Sequence, residues 1–210
     1  RGTLMAIEAV IFDIGNVLIE WQPEVFYDRE IGEVRRRALF SEVDLHHMNE
    51  LIDRGEDFRE TVYRTAEAYP AWQTEIEAWH DRWLELAGPS IDRSVRLLRA
   101  LRNKGVPVHA LSNIGEAPLA LATTRHPFLA EFDQSFVSGQ LRVTKPDPAI
   151  YEIVEERLET AAASLLFADD RAENIETARN RGWQTHLFTG PDGFAERLVE
   201  EGLLSAAEAA

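Results

Sequence analysis

The sequence predicts an α/β protein: a doubly wound, Rossmann-like parallel sheet core carrying an inserted all-helical domain. Three observations lead there. Short apolar runs rich in Ile, Val and Phe recur along the chain, segments with helical spacing separate them, and one long segment after the first run is helical without interruption. Residues 6–12, interrupted only by Glu8, stop at Asp13-Ile14-Gly15-Asn16, the pattern of a buried strand entering a turn. From Pro23 to about Leu86 the apolar positions fall at helical intervals: Leu45, Met48, Leu51 and Ile52, then Phe58, Val62 and Tyr63, then Trp72, Ile76, Trp79 and Trp83. Residues 93–104 form a helix with Val95, Leu97, Leu98 and Leu101 on one face, closed by Gly105 and followed by a strand at 106–111. Further strands are expected at 134–137, 165–168 and 184–188, with helices at 146–158 and 172–180 and a stop at Arg181-Gly182. The expected division is a core of residues 5–18 plus 93–210 and a helical lid of residues 19–92. An insert leaving just after the first strand would lie over the carboxyl ends of the strands, where open α/β sheets bind ligands. Residues 1–4, ahead of Met5, read as a remnant outside the fold, and 205–210 as a fraying tail.

The chain has 210 residues, 22 Lys plus Arg against 37 Asp plus Glu, and a net charge of −15. That surplus of acid excludes nucleic acid as a partner. No apolar run approaches the roughly 20 residues of a membrane span, so the chain reads as cytoplasmic with no membrane partner. With no Cys there is neither a disulfide nor a thiolate nucleophile.

The strand ends carry the chemistry. The first delivers Asp13, the second Ser112 and Asn113, the loop after the third Lys145, and the fourth Asp169 and Asp170, with Asn174 on the following turn. Three carboxylates beside a Lys, a Ser and an Asn suit a hard cation and an anion together. Mg²⁺ prefers oxygen ligands and is commonly held by one or two carboxylates plus a substrate phosphate. The cation resolves the repulsion between an acidic site and a phosphorylated small molecule, and Asp13, fixed at a rigid strand end, is the carboxylate best placed to attack phosphorus.

Asp13 within Ile11-Phe12-Asp13-Ile14-Gly15-Asn16-Val17-Leu18, Ser112-Asn113, Lys145-Pro146, and Phe167-Ala168-Asp169-Asp170 with Asn174 resemble the four ordered motifs of the haloacid dehalogenase-like hydrolases with an α-helical cap. The Gly15-Asn16-Val17 variant looks most like bacterial sugar-phosphate phosphatases of the glucose-1-phosphate type. The resemblance implies a Mg²⁺-dependent phosphatase acting through an aspartyl-phosphate on Asp13. It implies metal held by Asp13, the backbone carbonyl of Gly15 and a carboxylate of the fourth motif. Aligning through Ile175 favours Asp170 as the direct ligand with Asp169 behind it, and the reverse stays open. Ser112, Asn113 and Lys145 would bind and neutralise the phosphoryl group. The chain departs from the commonest pattern at Gly15, where most phosphatases of this kind carry a second Asp as acid and base. The expectation is therefore a good leaving group, such as an anomeric or acyl phosphate, or a substitute supplied by the cap.

Each residue also has a plainer reading. Asp13 could cap a helix, Ser112-Asn113 could open a turn, Lys145 could be a solvated charge and Asn174 a helix residue. Adjacent acids at 169 and 170 are harder to dismiss, since they repel without a cation. In the insert, His46 and His47 point to different sides of a helix and make a poor metal pair. Either could face the site, as could Arg54. Arg35-Arg36-Arg37 reads as a solvated face, the Trp72, Trp79 and Trp83 stripe as core, and Trp21 as lining the entrance. Two competing functions are a metal-free 2-haloacid dehalogenase, against which two buried acids argue, and a phosphoaccepting or binding protein with little turnover.

Overall fold

A computed structural model describes residues 5–210, and Arg1 to Leu4 lie outside the described residues. Five parallel strands form the central sheet: β1 (Ala9–Phe12), β4 (Val108–Ser112), β5 (Gln134–Val137), β6 (Leu165–Asp169) and β7 (Gln184–Leu187). Their order across the sheet is β5-β4-β1-β6-β7. The chain therefore builds outward from β1 on one side and then crosses to the other, which puts the reversal point at the carboxyl end of β1. Successive residues of each strand face opposite layers. Val10 and Phe12 join Val108, Ala110, Leu166 and Ala168 in one apolar cluster, while Ala9 and Ile11 join Leu111, Phe136, Leu165 and Phe167 in another. A sheet buried on both faces explains why these strands read as continuous apolar runs.

The helices are α1 (Pro23–Ile31), α2 (Glu33–Glu42), α3 (Leu45–Asp53), α4 (Phe58–Ala68), α5 (Gln73–Asp81), α6 (Trp83–Leu86), α7 (Asp92–Asn103), α8 (Glu116–Arg125), α9 (Ser138–Leu141), α10 (Pro148–Leu158), α11 (Ala172–Asn180) and α12 (Pro191–Glu200). The first six enclose an apolar cluster of their own, with Trp72, Trp79 and Trp83 buried in it as the stripe predicts. Asp44 and Asp57 cap α3 and α4 by accepting from His47 N and Glu60 N.

Residues 19–92 are not helical throughout. They open and close on strands β2 (Ile19–Trp21) and β3 (Ala87–Ser90), which pair antiparallel as a ribbon between the sheet and the six helices. Asn16, at φ 59, holds the start of this ribbon: its Nδ2 donates to Trp21 O at 3.2 Å, and Trp21 N donates to its Oδ1 at 2.8 Å. The expected fraying at 205–210 is also corrected. Ala209 is buried, its carbonyl accepts from Arg93 at 3.3 Å, and Glu208 pairs with Lys104 at 2.7 Å. Arg35, Arg36 and Arg37 pair with Glu75, Asp28 and Glu33, in keeping with a solvated face balanced by acids.

The end of α3 lies against the core. A Cβ on Gly115 would stand 2.7 Å from Ile52 Cγ2, and one on Gly55, at φ +106, 2.8 Å from the Gly139 carbonyl. Only glycine permits so close an approach of the two layers.

Candidate active site

The carboxyl ends of β1, β4 and β6 meet beneath α3 and the ribbon, around a cavity of about 600 Å³. Asp13 follows β1 and is almost buried. Its backbone N–H donates to Ala168 O at 3.0 Å, and its Oδ1 accepts from Ile14 N at 2.8 Å. The carboxylates of Asp13, Asp169 and Asp170 bring oxygens within 4.8 Å of one another.

Lys145 is the counterion of this cluster and is buried with it. Its Nζ lies 2.7 Å from Asp169 Oδ2, 3.0 Å from Asp13 Oδ1 and 2.9 Å from the Leu111 carbonyl, so its three protons are all engaged. Asn113 lines the cavity as expected and has a second task. Its amide clamps the Lys145 backbone, donating to Lys145 O at 2.9 Å and accepting from Lys145 N at 2.8 Å. Ser112 is buried at the cavity wall, and its hydroxyl has no hydrogen-bond partner among the described residues.

Asp169 is saturated. Besides Lys145 it accepts from Arg171 N at 2.8 Å and from Asn174 Nδ2 at 3.2 and 3.1 Å. Asn174 thus holds Asp169 in place, and Tyr151, donating to Asn174 O at 2.8 Å, holds Asn174's turn. Asp170 is only half-buried and lines the cavity, whereas Asp169 does not. The expectation of two buried acids is therefore corrected to one. Asp13, Asp170 and the carbonyl of Gly15, which accepts no hydrogen bond among the described residues, are the oxygen donors left open. That donor set fits a hard divalent cation.

The electrostatics agree. Burial first, then the charges of Asp169 and Asp170, push the Asp13 carboxyl well above the ordinary range, while Lys145 pulls it back. Burial alone would lower the Lys145 ammonium, but Asp13 and Asp169 outweigh it and the net direction is upward. Asp170 is raised, chiefly by burial. Three carboxylates against one ammonium leave a deficit of positive charge that a divalent ion would fill.

The insert contributes one face of α3 and the ribbon. His46, Asn49, Glu50, Asp53 and Arg54 line the cavity together with Glu20 and Trp21. His46 is exposed and lies 2.6 Å from Glu24 Oε1. His47 is exposed and not part of the cavity wall, with Glu50 Oε2 at 3.8 Å. Arg54 is exposed at the rim. Trp21 lines the cavity as expected and packs on Trp83, whose ring centroid is 5.0 Å away, so Trp83 is both core and wall. Asp53 was not legible as a site residue. The signal that finds it is the polar row His46, Asn49 and Glu50, Asp53, running beside the buried Leu45, Met48 and Ile52 on the same helix.

Comparison with known proteins matches residues 7–182 to the family model of haloacid dehalogenase-like hydrolases. Sesquiterpene phosphatase astK of Aspergillus oryzae is 28% identical over 83% of this chain and 86% of its own length. Drimenol cyclase drtB of Aspergillus calidoustus is 24% identical over 92% of this chain, which spans only 36% of that protein. (S)-2-haloacid dehalogenase 2 of a Pseudomonas species is 35% identical over 51% of this chain and 48% of its own length. Among solved structures, a HAD family enzyme of Bacteroides thetaiotaomicron superposes with a TM-score of 0.71 at 18% identity, covering 92% of this chain and 99% of that one. Another structure of that enzyme is a complex with magnesium and inorganic phosphate. No helix among the described residues is long and apolar enough to cross a membrane.

Proposed function

The chain belongs to the haloacid dehalogenase-like hydrolases, and we propose that it is a Mg²⁺-dependent phosphatase that hydrolyses a small phosphorylated metabolite through an aspartyl-phosphate on Asp13. The observation that carries this reading is Asp170. Its carboxylate stands beside the nucleophile without a cation of its own, because Lys145 is already engaged by Asp13, Asp169 and Leu111. A reaction at carbon has no use for that extra acid, whereas a phosphate cannot approach it without a metal. Asp13, Asp170 and the Gly15 carbonyl would hold Mg²⁺. Bound there, the ion neutralises the acid pair and stabilises negative charge on the transferring phosphoryl group.

The remaining steps fall to the chain's own residues. Asp13 is aimed by Ile14 N and Lys145, which leave its second oxygen for attack on phosphorus. Ser112 Oγ, free of other partners, donates to a phosphoryl oxygen. Lys145 acts from behind the nucleophile, offsetting part of the cost of its burial and part of the repulsion from Asp169. The helical insert serves as a lid that excludes water and selects the substrate. Magnesium and phosphate in the Bacteroides enzyme and the phosphatase activity named for the Aspergillus relative support the same reading.

The motif variant around Gly15 favours a sugar phosphate as substrate. A second class has a specific argument: Ile19, Trp21, Trp83, Ala87 and Ile114 give the cavity an apolar wall, and one relative is a sesquiterpene phosphatase. Phosphate release from a panel of sugar 1-phosphates, sugar 6-phosphates and prenyl phosphates tests both, with Mg²⁺ and with chelator. The expected result is Mg²⁺-dependent release that Asp13→Asn abolishes. Halide release from 2-haloacids in the presence of chelator would overturn the reading in favour of a dehalogenase. Stable phosphorylation of Asp13 without turnover would overturn it in favour of a phosphoacceptor.

A further inference from the structure

The geometry points to Asp53, the last residue of lid helix α3, as the general acid and then the general base of the reaction, the role that Gly15 leaves open on the core. This inference rests on the phosphatase reading above.

The direction of the chemistry selects the lid. In an in-line displacement the leaving oxygen lies opposite the attacking one. Asp13 sits on the floor of the cavity at the sheet end, so the leaving group points away from the sheet, toward α3 and the ribbon. Of the residues lining that side, five are charged or titratable: Glu20, His46, Glu50, Asp53 and Arg54. Arg54 does not give up a proton at working pH. Glu20, His46 and Glu50 are exposed, and His46 is engaged by Glu24 at 2.6 Å. Asp53 alone is half-buried.

Its surroundings are built. The fully buried Trp79 donates from Nε1 to Asn49 Oδ1 at 3.2 Å, which orients the amide so that Asn49 Nδ2 faces Asp53 Oδ2 at 3.4 Å. Asp53 Oδ1 makes no hydrogen bond among the described residues, so a proton on that oxygen has no protein acceptor and is available to a ligand in the cavity. Burial, and then the nearby Glu50, push the Asp53 carboxyl up to about 8, against the opposing pull of Lys145, and so favour its protonated form. A protonated carboxyl on the lid side of the cavity that holds Asp13 is what a general acid needs.

The steps balance. Asp13 attacks phosphorus as the bond to the leaving oxygen breaks, and Asp53 delivers its proton to that oxygen, releasing an alcohol. The Asp53 carboxylate then takes a proton from a water that attacks the same phosphorus from the vacated side. The bond to Asp13 breaks, phosphate forms, and both acids return to their starting states.

The test is Asp53→Asn on a series of phosphate esters, from p-nitrophenyl phosphate through phenyl phosphate to ethyl phosphate, read as kcat/KM in Mg²⁺. That parameter reports the steps up to phosphoryl transfer. The expected loss is within about 3-fold for p-nitrophenyl phosphate, which needs little protonation, and about 10²- to 10⁴-fold for ethyl phosphate. The variant should also show a burst of p-nitrophenol, because hydrolysis of the intermediate has lost its base. Glu20→Gln, at another exposed acid of the cavity wall, should leave the dependence on leaving group unchanged. In the Asp53→Asn background, Gly15→Asp should recover part of the ethyl phosphate rate. There is room for that side chain, since a Cβ at 15 would meet only Trp21 Cβ at an ordinary 3.6 Å. An equal loss on all three esters, or no loss on any, overturns the assignment and leaves the phosphatase reading intact. A wild-type chain inert toward all three and toward the sugar and prenyl phosphate panel overturns both.

Discussion

Stability measurements on Asp53→Asn test the neutral carboxyl independently of any turnover. In the folded chain Asp53 is pushed up to about 8 from an ordinary 3.8. Between those values the folded state keeps a proton that the unfolded chain has released, so stability falls as pH rises through that window. Below it both states are protonated and nothing is lost; above it both are ionised and the whole cost is present. At about 1.36 kcal/mol for each pH unit, the ceiling on that cost is about 6 kcal/mol. Water reaching a half-buried carboxyl screens it, and about 2–3 kcal/mol is the expected net effect. Asn has the same shape, cannot ionise, and can still accept from Asn49. The other charged groups around Asp53, which are Glu50 and Arg54 near its end of α3, His46 at the start of that helix and Lys145 of the core, are common to both proteins and cancel. Urea unfolding at pH near 5 should give the two proteins midpoints within about 1 kcal/mol of each other. At pH near 8.5 the variant should be the more stable by about 2–3 kcal/mol. A variant equally or less stable at the higher pH would show that Asp53 ionises in the fold as readily as in the unfolded chain, which overturns the raised, neutral carboxyl.

Lys145→Met should destabilise the chain by about 3–5 kcal/mol in urea unfolding, because it leaves Asp13 and Asp169 buried without their cation. Thermal melting with and without Mg²⁺ should show a ligand-dependent rise in the wild type that Asp170→Asn removes and Asp53→Asn retains. Gly115→Ala places a methyl 2.7 Å from Ile52 Cγ2 and should lower both stability, by about 1–3 kcal/mol, and kcat/KM, as α3 is pushed off the core. Adding Ile52→Ala should recover part of the kcat/KM loss, a coupling that a double-mutant cycle reads directly.

What the sequence shows plainly is what local pattern and chain order determine. β5 at Gln134–Val137 and α11 at Ala172–Asn180 have the expected bounds, since turn residues or glycine punctuate them on either side. Asp13, Ser112, Lys145 and Asp170 meet as expected because parallel strands deliver their carboxyl ends to one edge. The ribbon was hidden for the opposite reason. Three residues at Ile19–Trp21 pair with a Gly-Pro segment at Ala87–Ser90 across the whole helical insert, and neither stretch has a strand-like pattern of its own. The roles of Asn113 and Asn174 were half legible. Their places in the site follow from motif order, but that each holds a charged neighbour, Lys145 and Asp169 respectively, depends on loop geometry. Asp53 needed the most. Its row on α3 is visible in the sequence, yet which polar face meets the site depends on how Ile52 and Gly115 bring the helix down on the core.

That division of residues between core and lid has an electrostatic logic. In the proposed phosphatase the core acids bind a cation and attack phosphorus as carboxylates, and Lys145, held between Asp13 and Asp169, offsets part of the burial of Asp13. A positive neighbour favours loss of a proton, so an acid that must stay protonated is better placed away from that ammonium. At position 15 an acid would stand two residues from Asp13, beside the metal donors. On α3 it stands among Asn49, Glu50 and apolar wall, with Lys145 too weak an influence to reverse the effect of burial. A phosphate monoester arrives carrying close to two negative charges at neutral pH. A neutral Asp53 adds no repulsion to that approach and supplies a donor where charge develops on the leaving oxygen. The same desolvation that costs the fold stability at high pH is thus what keeps the proton in place, and any withdrawal of α3 that solvated Asp53 would release it.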